Sequence, residues 1–199
     1  MGERWVRFFD AAGAEPRETL LLALERYTAE ANEEFEPLAV DLGCGTGRDS
    51  FELLRRGWRV LAIDAHPEAL KRLREKAMGL QLAARLETLQ SSFEAASWPK
   101  ARLLNSSFAL PFCAPDRFDD LWRRVVASLE GGGRFSGQLF GERDEWASNR
   151  ELTSHTRTEA EALFNGFDLE RFDEVEEDGQ TALGEAKHWH LFHVVARRR

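Results

Sequence analysis

Apolar residues recur along this chain in two rhythms that alternate. Residues 19–34, TLLLALERYTAEANEE, carry them at helical spacing with no breaker. Pro37 stops that helix, and a strand begins at residues 38–40. Residues 46–56 read as a helix closed by Gly57, and residues 58–63, WRVLAI, as a strand. Pro67 opens a third helix that ends near Gly79. Residues 86–89 and 102–105 give two short strands, the second followed by a loop-like SSFALPF. Residues 116–129 predict a helix stopped by Gly131, Gly132 and Gly133, and residues 134–140 a strand. Thr156 with Glu159 has the capping-box pattern, so a helix starts there. Residues 167–175 and 188–196 read as two final strands joined by an acidic, glycine-containing loop.

Strand-helix alternation of this kind predicts a parallel sheet covered on both faces. The last two strands have no helix between them, so that pair is expected to be antiparallel. With 199 residues the chain suits one domain. It divides into a helical cap over residues 1–36 and a sheet-forming core over residues 37–199.

Composition narrows the partners. The formal net charge is -8, where a nucleic-acid binder shows a basic face. The one dense basic cluster, Arg197, Arg198 and Arg199, reads as a solvated tail. No apolar stretch approaches the ~20 residues that span a bilayer, and the charged first ten residues contain no signal-peptide core. The expectation is therefore a cytoplasmic protein without nucleic-acid or membrane partners. Cys44 and Cys113, the only cysteines, imply no disulfide framework.

The chemistry concentrates in AVDLGCGTGRDS, residues 39–50. Gly43, Gly45 and Gly47 fall on alternate positions between a strand and a helix, where backbone can approach a ligand and a helix N-terminus offers N–H groups to an anion. The dinucleotide fingerprint needs a glycine at position 48, which is Arg. Asp41, two residues ahead of the first glycine, would repel a pyrophosphate and attract an ammonium. Asp64 ends the next strand, seventeen residues after Gly47, where an acid accepts hydrogen bonds from ribose hydroxyls. An amino-acid end and a ribose end in one ligand point to S-adenosylmethionine.

DLGCGTG followed by Asp64 at the end of the second strand resembles the class I methyltransferases, over roughly residues 36–196. Within that class the chain is most similar to the small-molecule group related to tellurite-resistance methyltransferases. The resemblance implies a Rossmann-like, seven-stranded, mostly parallel sheet with helices on both faces and an antiparallel last strand. It implies that Gly43, Cys44 and Gly45 line the methionine end of S-adenosylmethionine and that Asp64, with Ala65 beside it, holds the ribose. Ser92 and Phe93 would edge the adenine, while Asn105 and Ser107 would lie near the sulfonium. NSSFALPF after the fourth strand lacks the N-P-P-Y signature of amino-methylating DNA and glutamine enzymes. The acceptor implied is a small molecule: a thiol, a chalcogen oxyanion or a small hydroxyl compound. A cofactor-binding protein without chemistry and a nicotinamide-dependent oxidoreductase are the rival readings.

KHWHLFH, residues 187–193, invites a metal reading. Strand alternation puts His188 and His190 on one face and His193 on the other, so one ion cannot take all three. No metal site is expected. His155 and His188 are the candidate bases for a hydroxyl acceptor. The acidic run at residues 174–178 reads as a solvated loop, and Cys113 as a packing residue. Trp5, Phe8 and Phe9 are too apolar for a free tail. They either cover the core or belong to a lid formed by residues 1–18, with Arg17 aimed at the cofactor carboxylate or an anionic acceptor.

Overall fold

The computed structural model describes residues 2–30 and 37–199. Helices α1 (Gly2–Ala11) and α2 (Glu18–Glu30) lead into β1 (Leu38–Leu42). There follow α3 (Arg48–Arg55), β2 (Arg59–Asp64), α4 (Pro67–Gly79), β3 (Leu86–Gln90), β4 (Ala101–Ser106), α5 (Pro115–Ser128) and β5 (Leu129–Gly141). The chain closes with β6 (Ser154–His155), α6 (Arg157–Leu163), β7 (Phe167–Gln180) and β8 (Ala186–Arg198). The sheet order is β3-β2-β1-β4-β5-β8-β7, with the two-residue β6 beside the end of β5. Strands β1 to β6 pair in parallel, and β8 is antiparallel to both β5 and β7. The expected architecture is present, with β6 as an eighth strand that two residues could not signal.

Central strands bury both faces, so they read as near-continuous apolar runs. On one face Val40, Leu42, Leu104, Phe135, Phe192 and Val194 pack with Phe118, Leu121, Trp122 and Val125 of α5 and with Ala160 of α6. On the other, Ala39, Val60, Leu103 and Val195 pack with Leu20, Ala23 and Leu24 of α2, Phe51 and Leu53 of α3, and Leu70 and Leu73 of α4. Thus α2 is a layer on the sheet, whereas α1 crosses its carboxyl edge. The expected 36/37 boundary between cap and core borders residues 31–36, which lie outside the described residues, as do positions 31–34 of the expected second helix.

Two local expectations are corrected. The triple glycine does not form a stop after α5. It lies inside β5, where the β4–β5 register shifts between Ala101 and Leu103. A Cβ on Gly133 would stand 2.9 Å from the carbonyl oxygens of Arg102 and Glu130, so this irregular stretch needs glycine. The acidic run 174–178 is strand, because its carboxylates find cations across the surface. Glu174 and Glu176 pair with Arg143, at 3.1 and 2.8 Å, and Glu174 with Arg157 at 2.8 Å. The connecting turn falls at residues 181–185. The capping box at α6 forms as expected, with Thr156 and Glu159 bonding reciprocally.

Candidate cofactor site at the carboxyl edge of the sheet

The glycine loop leaves β1 at the carboxyl edge and is pinned to β2. The N–H groups of Gly43 and Cys44 both donate to the Ile63 carbonyl, at 2.8 and 3.0 Å. Gly43 has φ +75°, and a Cβ there would overlap the Ala109 methyl and stand 3.5 Å from the Phe93 ring. Glycine is therefore required by backbone conformation and by contact. Gly45 has φ +54°, and its N–H donates to Asp64 Oδ2 at 2.8 Å. The His66 N–H donates to Asp64 Oδ1 at 2.8 Å. Each Asp64 oxygen thus holds one backbone bond and keeps acceptor capacity for a ligand hydroxyl. Burial pushes the Asp64 carboxyl up, against the pull of those two donors. Ala65 is exposed beside it, Ser92 is exposed, and Phe93 is half-buried over Gly43. Gly47 caps the start of α3.

Under the loop lies a buried polar cluster. Asp41 Oδ2 accepts from Ser50 Oγ at 2.5 Å, and Asp41 Oδ1 accepts from Asn105 Nδ2 at 3.0 Å. The same Asn105 amide donates to Asp49 Oδ2 at 3.1 Å, which also accepts from Ser107 at 2.5 Å. Ser136 donates to Asn105 Oδ1 at 2.7 Å, fixing which end of the amide faces the acids. Burial, and then the neighbouring Asp49 carboxylate, raise Asp41 to about 7. The cluster accumulates negative charge beneath the loop, complementary to a cationic ligand. Burial, followed by Asp41 and Asp64, pushes the Cys44 thiol well above the usual range, away from the thiolate form.

Arg17 stands at the entry to α2. Its N–H donates to Asp49 Oδ1 at 3.0 Å, and its guanidinium lies 4.4 Å from the Phe108 ring centre. Burial, helped by nearby Arg48, lowers it to about 10, and its Nε is buried without a partner. Helix α1 crosses above. Phe9 is buried with its ring 5.2 Å from His66, and Trp5 stands 5.2 Å from Phe112. Ion pairs of Asp10 with Arg72 at 2.6 Å and Arg4 with Glu185 at 3.0 Å hold α1 to α4 and to the turn between β7 and β8.

The sequence brought Asp41, Gly43, Cys44, Gly45, Gly47, Asp64, Phe93, Asn105 and Arg17 into view, and the fold gathers them at this edge. It does not bring the two candidate bases there. The His155 ring packs against Phe118 of α5 at 4.8 Å, and burial lowers its pKa. His188 is held by Asp178 and Glu176 on the outer surface, at 2.7 and 3.3 Å, and those acids raise its pKa. Both point to the α5–α6 side because strand register sends them there. Sequence reasoning missed Asp49, which joins Arg17, Asn105 and Ser107, and His193, whose Nδ1 lies 3.5 Å from Gln138. Asp49 carried one signal, a carboxylate in the first turn after the loop. No group of metal-ligating side chains occurs among the described residues.

Residues 39–133 match the family described as a methyltransferase domain. The chain shares the fold of solved S-adenosylmethionine-dependent methyltransferases, and the matched segment contains the glycine loop and the acid at the end of β2. Among solved structures it is similar to TehB from Haemophilus influenzae, with a TM-score of 0.75 at 16% identity over 89% of this chain and 61% of that one. It thus spans about three fifths of the length of TehB. It is similar to YcgJ from Bacillus subtilis, with a TM-score of 0.68 at 14% identity over 90% and 99% of the two chains. Magnesium protoporphyrin IX methyltransferase (ChlM) from Synechocystis PCC 6803, solved with bound SAM, gives a TM-score of 0.66 at 14% identity over 92% and 79%. At such identities the likeness establishes the fold. No curated protein matches the chain.

Proposed function

We propose that this protein transfers a methyl group from S-adenosylmethionine to a small-molecule acceptor. The observation that carries the reading is the glycine loop locked between Ile63 and Asp64 above a buried acidic cluster. When bound, the cofactor supplies an electrophilic methyl group: an acceptor lone pair forms the new bond while the carbon–sulfur pair passes to sulfur. The chain's residues bind and orient. Gly43, Cys44 and Gly45 present backbone to the amino-acid end, with Asp41 and Asp49 favouring its positive charge. Asp64 takes the ribose hydroxyls, and Phe93, over Gly43, takes the adenine face with Ser92 and Ala65 at its margin. Asn105 and Ser107, at the end of β4, line the region of the sulfonium. Positioning of the two reactants lowers much of the barrier in such a displacement. Helix α1, lying across the loop, acts as a lid that excludes water. The acidic surface favours a small acceptor over nucleic acid.

The test is Asp64→Ala, read by titration calorimetry with S-adenosylmethionine and, as control, a nicotinamide dinucleotide. Hydrogen bonds to a charged group contribute ~1.5–3 kcal/mol, so a roughly tenfold to hundredfold weaker affinity is expected. The unmodified chain should ignore the nicotinamide. Unchanged S-adenosylmethionine affinity in a folded variant removes Asp64 from the site, and dinucleotide binding replaces the reading with a hydride-transfer one.

A further inference from the structure

The edge of the site between β4 and β8 carries a second set of groups to which the proposed function gives no part in holding the cofactor. Phe108 is a non-glycine residue with φ +54°, a conformation that strains an L-residue. It is held there by Gln138, whose Oε1 accepts the Phe108 N–H at 3.1 Å. The strained turn presents the Phe108 ring with the Arg17 guanidinium on its face at 4.4 Å. Trp189 and His193 meet that ring edge-on, at 6.1 and 6.3 Å. Aromatic surface continues from Trp189 to Trp146 at 5.9 Å, then to Phe112 at 6.3 Å and to Trp5 at 5.2 Å. Each of these rings is half-buried, and one face of Trp189 carries the Lys187 ammonium at 3.7 Å.

The carboxylate nearest this wall, Asp49, is already engaged by the Arg17 backbone N–H, Asn105 and Ser107, and the polar atoms around the rings are donors. Because Gln138 Oε1 accepts from Phe108, its amide nitrogen faces Thr19 Oγ1 at 3.0 Å and His193 Nδ1 at 3.5 Å. His193 Nδ1 is then an acceptor, and in the neutral ring the proton sits on Nε2. Burial, with Arg171 and Arg17 close by, keeps His193 neutral, and the acids near it, Asp173 and Glu18, are both paired with Arg171. Arg17 Nε is a buried donor without a partner. A ligand at this wall therefore meets N–H donors and a positive charge, set in flat aromatic surface.

Resting on the methyl-transfer reading, we propose that the acceptor is an aromatic carboxylate. Its ring lies along Phe108 and Trp189, its carboxylate takes the N–H groups of Arg17 and His193, and a ring hydroxyl is the nucleophile: its oxygen takes the methyl group, the carbon–sulfur pair passes to sulfur, and the hydroxyl proton passes to solvent. Guanidinium and carboxylate match in shape and charge, and ring-on-ring contact adds selectivity for a flat body. A small inorganic oxyanion would use the donors and leave the wall without a role.

The probe is 4-hydroxybenzoate, compared with its neutral amide 4-hydroxybenzamide and with acetate. Binding to the full chain is followed by tryptophan fluorescence and calorimetry, with and without S-adenosylhomocysteine. The expected order is benzoate at least tenfold tighter than either comparison compound. Arg17→Gln should abolish the preference of benzoate over amide. Trp189→Leu should weaken both aromatic probes about equally and leave S-adenosylmethionine affinity unchanged. Equal binding of benzoate and amide, or of benzoate and acetate, on the unmodified protein overturns the proposal whatever the variants do. So does S-adenosylmethionine binding with no benzoate binding, which leaves the methyltransferase reading intact. Benzoate binding with the stated order but no S-adenosylmethionine binding supports the aromatic-acid subsite and overturns the methyl-transfer reading instead.

Discussion

Asp41→Asn should change how stability depends on pH. Asp41 is 2% exposed, and its surroundings raise its pKa from 3.8 to about 7. A carboxylate whose folded-state pKa is raised favours folding at low pH, and that stability is lost as pH rises through the folded value. The native protein should therefore weaken between about pH 4 and pH 8. At 1.36 kcal/mol per pH unit the full effect is ~4 kcal/mol, and sharing of the penalty with Asp49 brings the expected figure to ~2–4 kcal/mol. The asparagine keeps the geometry: its oxygen accepts from Asn105, and its amide donates to Ser50 Oγ in place of the bond Ser50 now donates. It carries no titrating group, so it behaves as the protonated acid at every pH. Urea unfolding of both proteins at pH 5, 6, 7 and 8 reads Asp41 together with its coupling to Asp49, since the remaining groups titrate in both. Because part of the penalty has already set in by pH 5, the variant should gain on the parent by ~1–2.5 kcal/mol from pH 5 to pH 8, or roughly 2–10 °C in melting temperature for a chain of this size. Parallel stability curves across that range would refute the argument that Asp41 is strained by burial beside Asp49.

Gly45→Val should leave the protein folded and remove S-adenosylmethionine binding, because a β-branched residue cannot hold φ +54° and the loop must rearrange; normal binding by calorimetry would make the loop a mere turn. Lys187→Met should lower stability by ~3–5 kcal/mol, since the Lys187–Asp144 pair is fully buried and Asp144 would keep only the N–H groups of Trp146 and His190; denaturant titration reads it. Deleting residues 2–11 should speed cofactor release more than it lowers stability, read by stopped-flow release and thermal melts. Loss of the fold on that deletion would make α1 part of the core.

Local features were legible in the sequence. The Thr156–Glu159 cap is defined by neighbours within a few residues, and the glycine loop and the acid at the end of β2 by a fixed strand-helix-strand spacing of about twenty residues, so spacing reveals them. What depends on strand register was not. His155 and His188 were plausible bases in one dimension, yet register turns both toward the α5–α6 side. His193 reaches Gln138 because β8 runs antiparallel to β5 and sets the two directly opposite. The acids of 174–178 looked like a loop because the cations that hold them, Arg143 and Arg157, lie far back in the chain. Asp49 gains its position from Asn105 and Ser107, more than fifty residues away.

The fastening of α1 has a kinetic consequence. Its two anchors, Asp10 with Arg72 and Arg4 with Glu185, stand largely in solvent, and such pairs contribute little individually and are screened by salt. The aromatic contacts between them are indifferent to ions. Under the lid role proposed for α1, the helix would be a latch whose spring is apolar and whose catches are ionic. Raising salt should loosen the catches without dissolving the spring, so each opening becomes more frequent while the closed form keeps its shape. The ionic strength of the surroundings would then set the tempo of nucleoside exchange, and through it the turnover ceiling, while the chemistry beneath the latch stays the same.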